Sequence, residues 1–157
     1  SLPGEAEYLG LDLCERQVRL NRARYADDGL RFVAADGFAW VLEQARPHGV
    51  FVTYGGVLEY FPQRRVEALL AWIAGALGPA LVAMVEPLAD GHDADSDPDS
   101  RPFGVENTFS HPYPRLLRRA GFEVRWRAET VVREQRWLML VAHAPGHDRE
   151  RHGGPAH

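Results

Sequence analysis

The sequence contains no lysine: all 18 of its basic residues are arginine. That excludes Schiff-base chemistry and any nuclease or phosphate site whose reaction depends on a lysine ammonium. A single cysteine, Cys14, excludes an internal disulfide and any zinc site built from several thiolates. No apolar run approaches the roughly 20 residues that a bilayer-spanning helix needs, and no signal peptide is recognisable, so a cytoplasmic location is expected. An excess of positive charge is also lacking. With 22 acidic residues against 18 basic, the net charge of −4 supplies no overall basic field to hold nucleic acid. HExxH, GxSxG and Walker patterns do not occur, and there is no internal repeat.

What is present suits one soluble globular domain. The 157 residues are 45% apolar and 25% charged, and a chain of this length buries roughly 68–70% of its unfolded surface. Residues 1–144 are expected to form the domain and 145–157 a polar tail. From residue 7 to 86, short apolar runs alternate with helical patterns. Strands are expected at Glu7–Leu13, Leu30–Ala34, Val50–Tyr54 and Ala80–Val85. Helices are expected at Cys14–Tyr25, ended by Asp27-Asp28-Gly29, and at Phe38–Ala45, ended by Arg46-Pro47-His48-Gly49. Pro62–Leu77 carries the clearest apolar stripe: Val66, Leu69, Leu70, Ile73 and Leu77. Strand alternating with helix implies a parallel sheet with right-handed crossovers. Glu86–Ser110, rich in Asp and Pro, reads as a long mobile loop or lid. A helix from Ser110 to about Ala120 and an antiparallel hairpin, Phe122–Val131 and Arg136–Ala144, complete the chain.

Three strand ends carry candidate chemistry. Asp12 ends the first strand, where open α/β sheets bind ligands, and its carboxylate suits the two hydroxyls of a ribose; it equally suits the start of the next helix. Asp36-Gly37-Phe38 follows the second strand. Asp36 can accept the exocyclic amino group of an adenine with Phe38 against the ring, or it can cap a helix with Phe38 in the core. After the third strand, Tyr54-Gly55-Gly56 permits close backbone approach to a ligand and places Glu59 and Tyr60 near the sheet edge, unless it is a plain turn. His92 and His111 flank the Asp-rich loop as possible acid–base groups. Asp93, Asp95 and Asp97 imitate a calcium loop, but Pro98 and Gly104 stand where Gly and Glu are required, so no metal is expected. The arginines from Arg115 to Arg136 read as a solvated face.

In order and spacing, these segments resemble the class I S-adenosylmethionine-dependent methyltransferases. EYLGLD with CERQV looks like that family's second strand and ribose-binding acid, VAADGF like its adenine segment, and TYGGVLEYFP like the loop after its fourth strand. HPYPRLLRRAGF with EVRWRAE and RWLMLVAHA looks like its last helix and antiparallel hairpin. The resemblance spans residues 5–144. It implies an α/β Rossmann-like sheet, mostly parallel with an antiparallel C-terminal strand, and S-adenosylmethionine as cofactor. It also implies cofactor contacts at Asp12, Leu13, Asp36, Gly37, Phe38, Tyr54 and Gly55. The family's opening strand and Gly-rich loop have no counterpart here, so residues upstream are expected to be missing, and the strands at Glu7 and Val50 are expected not to pair with each other.

The reaction so implied is methyl transfer to a small-molecule acceptor through a hydroxyl oxygen. Glu59, His92 and His111 are candidate bases, and Tyr60 and Tyr113 candidate acceptor contacts. Two alternatives stay open: a binding or scaffold protein that keeps the fold without catalysis, and a nicotinamide-dependent oxidoreductase, which also places an acid after its second strand.

Overall fold

A computed structural model of the chain describes residues 7–26 and 29–146. The chain divides after Ala45 into two compact units, where the sequence suggested one domain over residues 1–144. Asp27 and Asp28 of the expected helix break, and the expected tail from residue 147 onward, lie outside the described residues.

The first unit is a β–α–β–α run. Strand β1 (Tyr8–Asp12) leads into helix α1 (Glu15–Arg24), and strand β2 (Leu30–Ala34) into helix α2 (Gly37–Gln44). β1 and β2 pair in parallel with Tyr8 opposite Leu30 and Asp12 opposite Ala34. The register brings the carboxyl ends of both strands to one edge. Arg22 near the end of α1 donates from Nε and Nη2 to the carbonyl of Phe32 on β2, at 2.9 and 2.6 Å, which ties the crossover helix to the strand that follows it.

The second unit is built on a four-stranded sheet in the order β3-β4-β8-β7, from β3 (Val50–Tyr54), β4 (Ala80–Leu88), β7 (Glu123–Val132) and β8 (Gln135–Ala144). β3 and β4 run parallel, whereas β8 is antiparallel to both β4 and β7. The ladders of β1 and β3 fall in different sheets, in agreement with the expectation that these strands are not neighbours. Helix α3 (Gln63–Ala76) buries Val66, Leu69, Leu70 and Ile73, and Leu77 is buried just past its end. The whole stripe read from the sequence is therefore core, each side chain contributing roughly 1.5–3 kcal/mol by its removal from water. Leu138, Leu140 and Ala142 on β8 are buried at every second position, as a strand with one covered face requires. The β7–β8 turn needs only Arg133 and Glu134, at φ 50 and 65. Two successive left-handed residues give the tight hairpin connection whose twist matches the strands.

Two expectations are corrected. β4 runs to Leu88 instead of Val85, because Glu86, Pro87 and Leu88 still face Leu138, Trp137 and Arg136 of β8. Pro87 is tolerated because, like Val85, whose carbonyl accepts from Gly55 N–H, it turns its backbone toward the side that β3 has by then left. The region from 86 to 110 is also not a single irregular loop. It contains the hairpin β5 (Arg101–Phe103) and β6 (Thr108–Ser110), and His92, Ala94, Thr108 and Ser110 are buried in it. Helix α4 (Tyr113–Arg119) accordingly starts after Pro112. Ser110 does not cap it: its hydroxyl accepts the N–H of Ala89 at 2.9 Å.

Two aspartates of that region pair with arginines. Asp97 pairs with Arg101, Asp95 with Arg118 and Arg127, and Glu129 with Arg127 and Arg136. Asp93 accepts the N–H groups of Asp95 and Ser96. No cluster suited to a metal ion occurs among the described residues, and no helix among them is long and apolar enough to cross a membrane.

Candidate functional site

In the first unit the two acidic strand ends share the carboxyl edge of β1 and β2. Asp12 Oδ1 accepts the N–H of Cys14 at 2.8 Å and so steadies the entry to α1. Its second oxygen is left for another donor. Asp36 Oδ1 accepts from Phe38 N–H at 2.8 Å and Ala39 N–H at 3.2 Å, the geometry of a helix N-cap. Phe38 is buried, Leu13 is exposed, and an added side-chain carbon at Gly37 would meet nothing within 4 Å. The capping role of Asp36 is thus realised, with one carboxylate oxygen still uncommitted by it.

In the second unit β3 ends in Tyr54, 78% exposed, and runs into Gly55 and Gly56, both left-handed at φ 82 and 84. At Gly56 the positive φ favours glycine, and the Glu59 carboxylate folds back over this turn, where a Cβ would push it aside. A single 3-10 turn, Leu58–Tyr60, follows. Glu59 is half-buried on it, and burial raises its pKa above the ordinary carboxylate range; the Thr108 hydroxyl acts the other way and the Glu106 carboxylate in the same sense. Tyr60, 56% exposed, donates its hydroxyl to Glu106 at 2.9 Å. That bond joins the loop to the tip of the β5–β6 hairpin.

The remaining sequence candidates sit beneath this loop. His111 is fully buried. Its Nε2–H donates to the carbonyl of Leu58 at 3.2 Å, which leaves Nδ1 as the acceptor facing the Ser100 hydroxyl at 2.5 Å. Ser100 in turn is fixed by Gln63 Oε1, which accepts its N–H at 2.6 Å. Burial pushes the His111 pKa down to about 4, so the ring is neutral with both nitrogens engaged. His92 is buried too; its Nδ1 lies 2.6 Å from Ser110 Oγ and its Nε2 3.7 Å from Asp97 Oδ2. Burial lowers its pKa, with Asp97 opposing. A cleft of about 380 Å³ beside His92 is lined by Gly91, Asp93, Ala94, Glu129 and Arg136, and none of Tyr54–Tyr60 borders it. Tyr113 is fully buried, its hydroxyl donating to Glu86 at 3.4 Å. Tyr113 thus lies beneath the loop, His111 holds the Leu58 carbonyl, and the His92 ring faces the side chains of Ser110 and Asp97.

Sequence reasoning missed Glu86. It sits on β4, two residues before the strand's end, with no exposed surface, and its Oε2 accepts the N–H groups of Val57 and Leu58, each at 3.1 Å. Burial raises its pKa to about 7 against the lowering effect of these amides and of the Thr53 hydroxyl, which itself lies outside strict hydrogen-bond geometry. The available signal was an acidic residue closing an apolar strand (ALVAMVE), as Asp12 closes YLGLD. In the sequence it opens the Asp- and Pro-rich segment Glu86–Ser110.

No protein-family model matches the sequence, and no curated protein resembles it closely enough to be matched. Solved structures do share its fold. The magnesium protoporphyrin IX methyltransferase of Synechocystis PCC 6803 with bound S-adenosylmethionine superposes with a TM-score of 0.56 at 15% identity, over 86% of this chain and 58% of that one. An S-adenosylmethionine-dependent methyltransferase from Leishmania major gives 0.62 at 14% identity, over 85% of this chain and 54% of its own. The cyclase SpnF gives 0.59 at 13% identity, over 87% and 66%. The chain therefore has the class I, Rossmann-like methyltransferase fold, and it spans between about half and two thirds of the length of these neighbours.

Proposed function

We propose that the chain is an S-adenosylmethionine-dependent methyltransferase acting on a small-molecule acceptor through a hydroxyl oxygen. The observation that carries this reading is the pair of acidic strand ends, Asp12 and Asp36, on the common edge of β1 and β2, in a fold shared with methyltransferases. Asp12 fits the cofactor because only one of its oxygens is engaged by Cys14; the other accepts from ribose hydroxyls. Asp36 accepts the adenine amino group, with Gly37, Phe38 and Leu13 completing the adenosine side. In the second unit, Tyr54 and the open left-handed turn at Gly55 are the further candidates that the resemblance supplies.

The bound cofactor supplies an electrophilic sulfonium methyl. The protein contributes alignment, worth roughly 7–11 kcal/mol where two reactants are held in line. Glu59 takes the acceptor proton, burial making its carboxylate a stronger base than an exposed one, and Tyr60 contacts the acceptor. His111 and Tyr113 act by holding the segment that carries these groups, His111 directly and Tyr113 through Glu86; His92 packs against Ser110 and Asp97.

Calorimetric titration of the full natural protein with S-adenosylmethionine tests the reading. Asp12→Ala is expected to weaken binding about 10- to 100-fold, the equivalent of one charge-assisted hydrogen bond at about 1.5–3 kcal/mol, whereas Glu43→Ala on the exposed face of α2 leaves it unchanged. Equal losses would remove Asp12 from the ribose role. The likeness to a cyclase favours a second reading, in which the same fold binds ligands without methyl transfer. Cofactor binding with no turnover across a panel of hydroxylated acceptors would select it.

A further inference from the structure

We infer that Glu86 is a positioning residue for the loop between β3 and α3: its carboxylate and the His111 imidazole grip the backbone of Leu58 from opposite sides and thereby fix the place of Glu59. The N–H of Leu58 donates to Glu86 Oε2 at 3.1 Å and its carbonyl accepts from His111 Nε2 at 3.2 Å. Val57, one residue earlier, gives its N–H to the same oxygen at 3.1 Å. Three backbone groups of two successive residues are thus satisfied by two buried side chains, one on β4 and one between β6 and α4. A 3-10 turn of three residues has too few internal hydrogen bonds to hold itself. The side chain of Leu58, almost wholly buried, marks the anchored point, and Glu59 is the next residue.

Three donors reach the Glu86 carboxyl: the two amides and the Tyr113 hydroxyl from α4 at 3.4 Å, with the Thr53 hydroxyl of β3 nearby. Such a cage suits a carboxylate, and an amide side chain would turn its NH2 group against it. Glu59 on the 3-10 turn is the negatively charged group facing Glu86, and Tyr113 the other titratable one. Opposing demands meet here: the donors favour the ion, while burial and Glu59 disfavour it.

The inference rests on the proposed function only in taking Glu59 to face the acceptor, and the experiment separates the two. In the full chain labelled with 13C and 15N, the Glu86 carboxyl carbon and the amide protons of Val57 and Leu58 are followed from pH 4 to 9. The expected result is a common midpoint near 7, with both amide protons moving downfield as Glu86 ionises. The amide step is expected to vanish in Glu86→Gln. Amides that do not titrate, or that titrate unchanged in the variant, overturn the inference; if the variant does not fold, coincidence of the three midpoints in the wild type decides alone. In the methyl-transfer assay, Glu86→Gln should lower kcat about tenfold with the cofactor KM unchanged, as expected when alignment and not binding is lost, and Glu86→Asp should recover part of it. Unchanged kcat overturns the positioning role. Failure to bind S-adenosylmethionine overturns the proposed function instead and leaves the titration result standing.

Discussion

The N–H of Leu58 donates to the carboxylate of Glu86 at 3.1 Å across 28 positions of chain, while the carbonyl of the same residue accepts from His111 53 positions away. Two buried ionisable groups therefore meet at one residue, and their pKa values move in opposite directions: Glu86 up to about 7, His111 down to about 4.

Opposite shifts give opposite linkage. The native Glu86 carboxyl holds its proton more tightly than the unfolded one, so its contribution is fully present below the unfolded value of 4.5 and is lost as pH rises through about 7. The change amounts to about 3 kcal/mol. His111 is held neutral, so its contribution is present above the unfolded value of 6.5 and is lost as pH falls through about 4, again by about 3 kcal/mol. Urea midpoints are expected to show the stability gap between wild type and Glu86→Gln shrinking from pH 4.5 to 7.5. The gap between wild type and His111→Gln should shrink in the other direction, from pH 7 to 4. Between these limits the two slopes oppose each other in the wild type.

Gly56→Ala tests the turn. A Cβ there meets Glu59 Oε1 at 2.2 Å in a backbone with φ 84, and the flexible carboxylate must swing away. The left-handed conformation alone costs about 1–2 kcal/mol for a residue with a side chain. The displaced Glu59 is expected to return toward an ordinary carboxylate pKa, read from its 13C shift, as it leaves the site where burial had raised it.

Asp36→Ala removes acceptors from the N–H groups of Phe38 and Ala39 and is expected to cost about 0.5–2 kcal/mol. Asp36→Asn keeps the cap and should retain nearly all the stability. In the adenine role, however, Asn loses the charge, so cofactor binding is expected to fall in both variants while stability falls in only one.

Leu70→Ala on α3 truncates a side chain with almost no exposed surface. A loss of about 2–5 kcal/mol is expected from the cavity and the lost burial, with an unchanged denaturant slope.

Periodicity and punctuation made most of the fold legible. The stripe of Val66, Leu69, Leu70, Ile73 and Leu77 marked α3 and its buried face, the continuous run VFVTY gave the bounds of β3, and the pair Arg133-Glu134 falls between two alternating runs that pair as β7 and β8. These are local signals, in which a side chain's spacing states which face it shares. Asp12, Asp36 and the turn at Gly55 were visible for the same reason: each punctuates a strand. Long-range pairing decided the rest. Residues 86–110 look like a loop because their order comes from partners elsewhere: β8 extends β4 past Pro87, Gln63 seats Ser100, and arginines of α4 and β7 neutralise Asp95. His111 and Tyr113 carry polar atoms that in sequence suggest chemistry, and burial alone turned them into supports. Glu86 shows the limit most plainly. A carboxylate closing an apolar strand is written in the sequence, but the two amides it receives come from a turn that only the packing of β3 beside β4 brings within 3.1 Å.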